Sequence, residues 1–235
     1  MMELAQGVLD TDHIARLATE LEYASPQEIL QVAVQEIANL TFACSFGAED
    51  MVLLDMLMSI APQTTVFYLD TDVLFEETYA LRDRAVAKYG IPNLLQVRPK
   101  LTLEEQASQF GDALWERDPN QCCNIRKVQP LTETLAKFDG WITGIRREQA
   151  PTRANAQVFE VDRKFNLVKV NPLATWTEGQ VWKYIRDHDV PYNPLHDQGY
   201  PSIGCFHCTR PVKPGEDPRS GRWAGFEKTE CGLHK

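Results

Sequence analysis

No apolar run in these 235 residues approaches the roughly twenty that a bilayer-spanning helix requires, which excludes a membrane helix. Internal repeats, low-complexity tracts and linker-like segments are also missing, so one domain with an appendage is expected. Positive charge is in deficit: 24 Lys and Arg face 33 Asp and Glu, a net charge of -9 that argues against a general nucleic-acid binder. A local basic pocket for a small anion stays open. Nothing at the N-terminus suggests export, so a cytoplasmic location is expected and disulfides are a poor account of the six cysteines. What remains, 43% hydrophobic and 24% charged, is the composition of an ordinary globular protein long enough to bury a sizeable core.

The cysteines are placed unevenly. Three lie in the last thirty-six residues, Tyr200 to Lys235: Cys205 and Cys208 as a C-x-x-C pair, and Cys231 close to the end. Glycines (Gly204, Gly215, Gly221, Gly225, Gly232) and prolines (Pro201, Pro211, Pro214, Pro218) break this segment too often for a long helix or regular strand. Something other than an apolar core must hold it. The adjacent Cys122 and Cys123 are the candidate partners, because two plus two cysteines make a four-thiolate site. Such a site takes one zinc ion or one iron-sulfur cluster. Neighbouring side chains diverge by about 100° on a helix, which suits the separate corners of a cubane better than a single tetrahedral ion. The chemistry of the residues thus favours [4Fe-4S] and leaves zinc open.

Along the chain, residues 1–38 read as helical, with Ser25 as N-cap and Pro26 in the first turn. LTFACSF, Leu40 to Phe46, reads as a buried strand, followed by the turn FGAED and an apolar helix. That junction offers backbone N–H groups and a helix dipole to a phosphate, although any α/β protein contains such junctions. Cys44 reads as an inert packed thiol. A second strand, Val66 to Leu69, ends in Asp70, Thr71 and Asp72, where open sheets bind ligands; the plainer alternative is that Asp72 and Glu76 cap the next helix. NLLQVRP and a Thr102-capped helix complete a third unit, and three such units imply a parallel sheet covered on both faces. DPNQCCNIRKVQPLTETLAKF reads as a helix carrying the cysteine pair in its first turn, with Arg126 and Lys127 just beyond. WITG then ends in Arg146 and Arg147, with Arg153 further on, a grouping suited to phosphate or sulfate; surface pairing to Glu148 is the ordinary alternative. VFEVDRKFNLVKVNPL reads as two strands around a turn, and Thr177 caps a last helix in which His188 is structural or exposed.

SFGAED, YLDTD, CCNIRKVQPL, WITGIRREQAPTR, YPSIGCFHC and KTECGLH, in this order from about Leu40 to the end, resemble the assimilatory sulfonucleotide reductases in their four-cysteine form, which acts on adenylylsulfate (APS). The resemblance implies an α/β fold of the adenine nucleotide alpha-hydrolase (PP-loop) type: N-terminal helices in 1–38, a nucleotide-binding core in 39–200 and a flexible cluster-binding and catalytic arm in 201–235. It implies a [4Fe-4S] cluster on Cys122, Cys123, Cys205 and Cys208, and Cys231 as nucleophile. Substrate binding would fall to Ser45, Asp50, Lys127, Arg146, Arg147, Arg219, Arg222 and His234. The implied reaction reduces APS to sulfite and AMP through an S-sulfocysteine, with thioredoxin as electron donor and no nucleic-acid or membrane partner; a homo-oligomer is left open. Phe46 stands where ATP-pyrophosphatase relatives carry the first glycine of S-G-G-x-D-S, which argues against ATP cleavage. Two rivals remain: a reductase of phosphoadenylylsulfate (PAPS), whose usual form lacks the four cysteines, and a zinc-bearing nucleotide-binding or tRNA-thiolating protein.

Overall fold

The computed structural model describes residues 10–228, Glu230, Gly232 and Leu233. Helix α1 (Thr11–Glu20) and α2 (Pro26–Glu36) lead into β1 (Leu40–Ala43), α3 (Ala48–Ile60), β2 (Thr65–Leu69), α4 (Glu76–Tyr89), β3 (Leu94–Val97) and α5 (Leu103–Phe110). The short α6 (Leu114–Arg117) and α7 (Pro119–Cys123) follow, then α8 (Gln129–Leu135), β4 (Gly140–Ile142), the hairpin β5 (Phe159–Asp162) and β6 (Leu167–Val170), and α9 (Glu178–Asp187). Local chemistry sets the helix starts. Ser25, Thr102 and Thr177 each cap their helix through a reciprocal box with Glu28, Glu105 and Gln180, satisfying two orphan N–H groups apiece.

Six strands form one sheet in the order β3-β2-β1-β4-β6-β5, parallel except for β5 against β6. Strand β1 lies between β2 and β4, so the order reverses there. In open α/β sheets that reversal opens a crevice beyond the carboxyl ends of the two strands. The central strands are covered on both faces and read as apolar runs. Helix α3 is buried along most of its length by Met51, Val52, Leu53, Leu54, Met56 and Leu57, which is why its sequence shows almost no polar face. Among the described residues no helix is long and apolar enough to cross a membrane.

The chain forms two compact units, each assembled from separate stretches. The first comprises the described part of Met1–Tyr68 with Leu81–Leu95 and Leu135–Tyr192; it holds the large apolar core. The second comprises Leu69–Ala80, Gln96–Thr134 and the described part of Asn193–Lys235. It brings both cysteine pairs into the same unit although more than eighty residues separate them.

Two local expectations are corrected. Strand β1 ends at Ala43 rather than Phe46, because the chain turns to place Ser45 against Asp50 and to hold Phe46 in a left-handed conformation, φ 59°. Phe46 keeps that conformation by burying its ring edge-on to Tyr68, with centroids 5.5 Å apart. The cysteine helix runs unbroken into α8, but through a π-helical turn at Asn124–Val128 rather than as regular α-helix throughout.

Candidate functional site

In the first unit, the loop after β1 and the loop after β4 meet at the sheet's reversal point. Ser45 donates to Asp50 Oδ2 from both its backbone N–H (2.7 Å) and its hydroxyl (2.5 Å). Burial pushes the Asp50 carboxyl up to about 6; the two Ser45 hydrogen bonds and Arg153 oppose this, while neighbouring Glu49 adds to it. Gly144 is required at this spot because a Cβ there would overlap the Asp50 carboxylate. Arg146 is buried and donates from Nε to Glu49 Oε1 at 2.9 Å, with Glu148 Oε2 3.4 Å from its Nη1. Arg147 makes a two-pronged pair with Glu22, at 2.5 and 2.9 Å, and donates to the Ala156 carbonyl. Both arginines therefore already meet carboxylates. An arriving anion would compete with those partners for them.

The raised pKa of Asp50 gives a sign that can be tested. A carboxyl whose folded value lies above its unfolded one stabilises the fold at low pH and loses that contribution as pH rises through the folded value. The shift corresponds to roughly 3 kcal/mol. Asp50→Asn should therefore gain stability relative to the parent chain by about that amount between pH 4 and pH 7, read from unfolding midpoints across pH. A constant difference over that range would mean that Asp50 is not held neutral.

In the second unit, Cys122, Cys123, Cys205 and Cys208 line one cavity together with Lys127 and Arg222. Asp118 positions the first pair by capping α7 through the N–H groups of Asn120 and Gln121. Cys205 precedes and Cys208 ends a single 3-10 turn, Phe206–Cys208, anchored where Phe206 N–H donates to the Val73 carbonyl at 2.9 Å. Burial drives the thiols of Cys122 and Cys208 up to about 12 and about 11, and the neighbouring thiols push them further in the same direction. Cys205 goes the other way. Burial raises it, but Lys127, the Thr71 hydroxyl at 3.3 Å and Arg222 together outweigh that and favour the thiolate.

The π turn carries Arg126 and Lys127. Arg126 is fully buried and donates to the Thr71 carbonyl (2.7 Å), Gln106 Oε1 (3.2 Å) and the Leu101 carbonyl (3.3 Å), and it is ion-paired with Asp72. Asp72 is thus occupied by an arginine 54 positions away rather than serving only as a helix cap. Sequence reasoning named Thr71, Asp72 and Arg126 separately but did not join them, because no local pattern links residues so far apart. Only the basic dipeptide beside the cysteines hinted at it.

The cavity combines four thiols with two cations, a lining that could hold an anionic group. The four thiols line one space, and among the described residues no group of three or more Cys, His, Asp or Glu side chains is arranged to hold a metal ion. Arg222 Nε is buried and has no acceptor among the described residues, as expected of a donor aimed at a bound anion. Gly204 lets this guanidinium pass, since a Cβ there would strike it. Of the other expected residues, Arg219 pairs with the buried Glu230 at 3.1 Å. Cys231 and His234 lie outside the described residues.

Comparison with known proteins follows the same lines. Residues 39–211 match the family model described as the phosphoadenosine phosphosulfate reductase domain. An adenosine 5'-phosphosulfate reductase of Lysinibacillus sphaericus (strain C3-41) is 50% identical over 214 residues, covering 91% of this chain and 92% of that protein. Among solved structures, a phosphoadenylyl-sulfate (PAPS) reductase from Candida auris in a phosphate complex superposes with a TM-score of 0.77 at 36% identity, over 86% of this chain and 98% of that one. A Candida glabrata FMN adenylyltransferase, 14% identical over 95% of this chain and 87% of its own, superposes with a TM-score of 0.56 and shows the shared fold alone.

Proposed function

Because this chain belongs to the phosphoadenosine phosphosulfate reductase family, we propose that it reduces adenosine 5'-phosphosulfate to sulfite and AMP. The observation that carries the choice of APS is the four-cysteine cavity, combined with the 50% identity to relatives named for that substrate. It is an oxidoreductase of sulfate assimilation.

Cys231 is the nucleophile in this reading. Its thiolate attacks the sulfur of APS; an S–S bond forms, the S–O bond to the nucleotide breaks, and AMP leaves with the electron pair. A thioredoxin thiolate then attacks the Cys231 sulfur, displacing sulfite with its electron pair, and the second thioredoxin thiol resolves the mixed disulfide. All electrons come from thioredoxin. In this reading the loop holding Ser45 and Asp50 offers the N-terminus of α3 to the nucleotide phosphate; Arg146, tied to that helix through Glu49, and Arg147, now paired with Glu22, are the cations for it.

Cys122, Cys123, Cys205 and Cys208 hold a [4Fe-4S] cluster, which supplies a fixed charge beside Lys127. Lys127 lines the same cavity and favours the Cys205 thiolate, which suits it to couple cluster and substrate in this reading. Anaerobic purification with a visible spectrum and an iron and sulfide count tests this. About four of each per chain is expected. A colourless protein with one zinc would sink the cluster assignment and favour the thiolation rival. Turnover compared on APS and PAPS decides between the two sulfonucleotides, with APS expected to be preferred.

A further inference from the structure

Trp115 and His207 form a parallel stack with ring centroids 3.9 Å apart and planes 8° from each other, and both line the four-cysteine cavity. They come from the two segments that bear the cysteines. Trp115 sits on α6, four residues before α7, and packs on the apolar patch made by Leu114, Cys122 and Ile125. His207 is the central residue of the turn between Cys205 and Cys208 and has its outer side exposed. Helix α6 is too short to hold a tryptophan in place by helix propensity. It is pinned instead by Arg117, whose guanidinium donates to the carbonyls of Phe110 (2.6 Å) and Asp112 (3.1 Å). The left-handed Ala113 before it, φ 49°, is a conformation that costs energy and persists only where surrounding contacts impose it.

We propose that the Trp115–His207 stack is the solvent barrier of the four-cysteine cavity, keeping water and small oxidants from the thiolates and from a cluster held on them. Its cluster half rests on the proposed function. The physical reason is that the apolar shell around a metal site sets its solvent access, and a flat pair of stacked rings bridging both cysteine segments covers more of a mouth than either ring alone.

The test follows the visible absorption of the purified holoprotein after mixing with air-saturated buffer. Trp115→Ala is expected to shorten its half-life roughly tenfold. His207→Ala should shorten it in the same direction, and Trp115→Phe, which keeps a ring, should restore most of it. Half-lives of both alanine variants within about twofold of the parent would overturn the proposal. Should Trp115→Ala fail to fold, the exposed His207→Ala decides alone. If the parent protein carries no iron, the cluster reading fails by itself, and the barrier is read from the rate at which a disulfide reagent labels the four cysteines in a Cys231→Ser background. Faster labelling in His207→Ala would uphold the barrier, and an unchanged rate would overturn it.

Discussion

Cys231→Ser should stop sulfite release almost completely, by a factor on the order of 10⁴ or more, while leaving iron content at the parent level. A serine hydroxyl is a weak nucleophile at neutral pH and a poor partner for thiol exchange, so both halves of the reaction fail at one atom. In the proposed reading none of the cavity-lining cysteines can take over, because there all four serve as cluster ligands. The residue before position 231 gives the arm a fixed point: Glu230 is buried and paired with Arg219 at 3.1 Å. Mass spectrometry after mixing the parent chain with APS, without thioredoxin, should show a sulfonate on Cys231 and none in the variant. Turnover within tenfold of the parent would remove Cys231 from the mechanism.

Arg126→Met is expected to cost about 3 kcal/mol, near the lower end for breaking a buried ion pair, because Asp72 keeps some solvent contact while Gln106 and two carbonyls lose a donor. In a chain of this size that lowers the melting temperature by roughly 6 to 12 °C. Metal retention should fall as well. Arg126 holds the Thr71 carbonyl, the Thr71 hydroxyl faces Cys205, and Arg126 itself sits in the turn directly after Cys123. One side chain thus ties both cysteine segments together. Arg126→Lys keeps the charge without the fork and should fall between the two. A methionine variant with parental melting temperature and iron content would show that the pair is dispensable.

Elements with local signals were legible. Ser25, Thr102 and Thr177 each precede a Glu or Gln three residues on, and each forms the box that this spacing allows. The mostly apolar runs of β1, β2 and β6 emerged as covered strands, and the polar residues they bury are partnered: Thr41 donates to the Thr65 carbonyl and Lys169 pairs with Glu160. The cysteine inventory, the tail's resistance to regular structure and the family motifs were all plain from residue order. The π turn at Asn124–Val128 was not, since NIRKV reads as ordinary helix and the extra residue is accommodated only where Arg126 reaches partners in other segments. The carboxylate partners of Arg146 and Arg147 were partly legible: Glu148 is a neighbour in sequence, whereas Glu49 and Glu22 are brought in by the fold.

By itself, then, the sequence determined what its short-range order encodes: three helix starts, a mostly parallel sheet, four thiols in two pairs and a reductase family. The tertiary structure alone decided that the two pairs line one cavity, that Asp72 belongs to Arg126, that Cys205 is the thiol favoured as thiolate and that Trp115 covers His207. Local order follows from propensity and capping between residues a few positions apart. These other relations join residues about 50 to 130 positions apart, and only chain closure, driven by burial of the core, brings such residues within reach of one another.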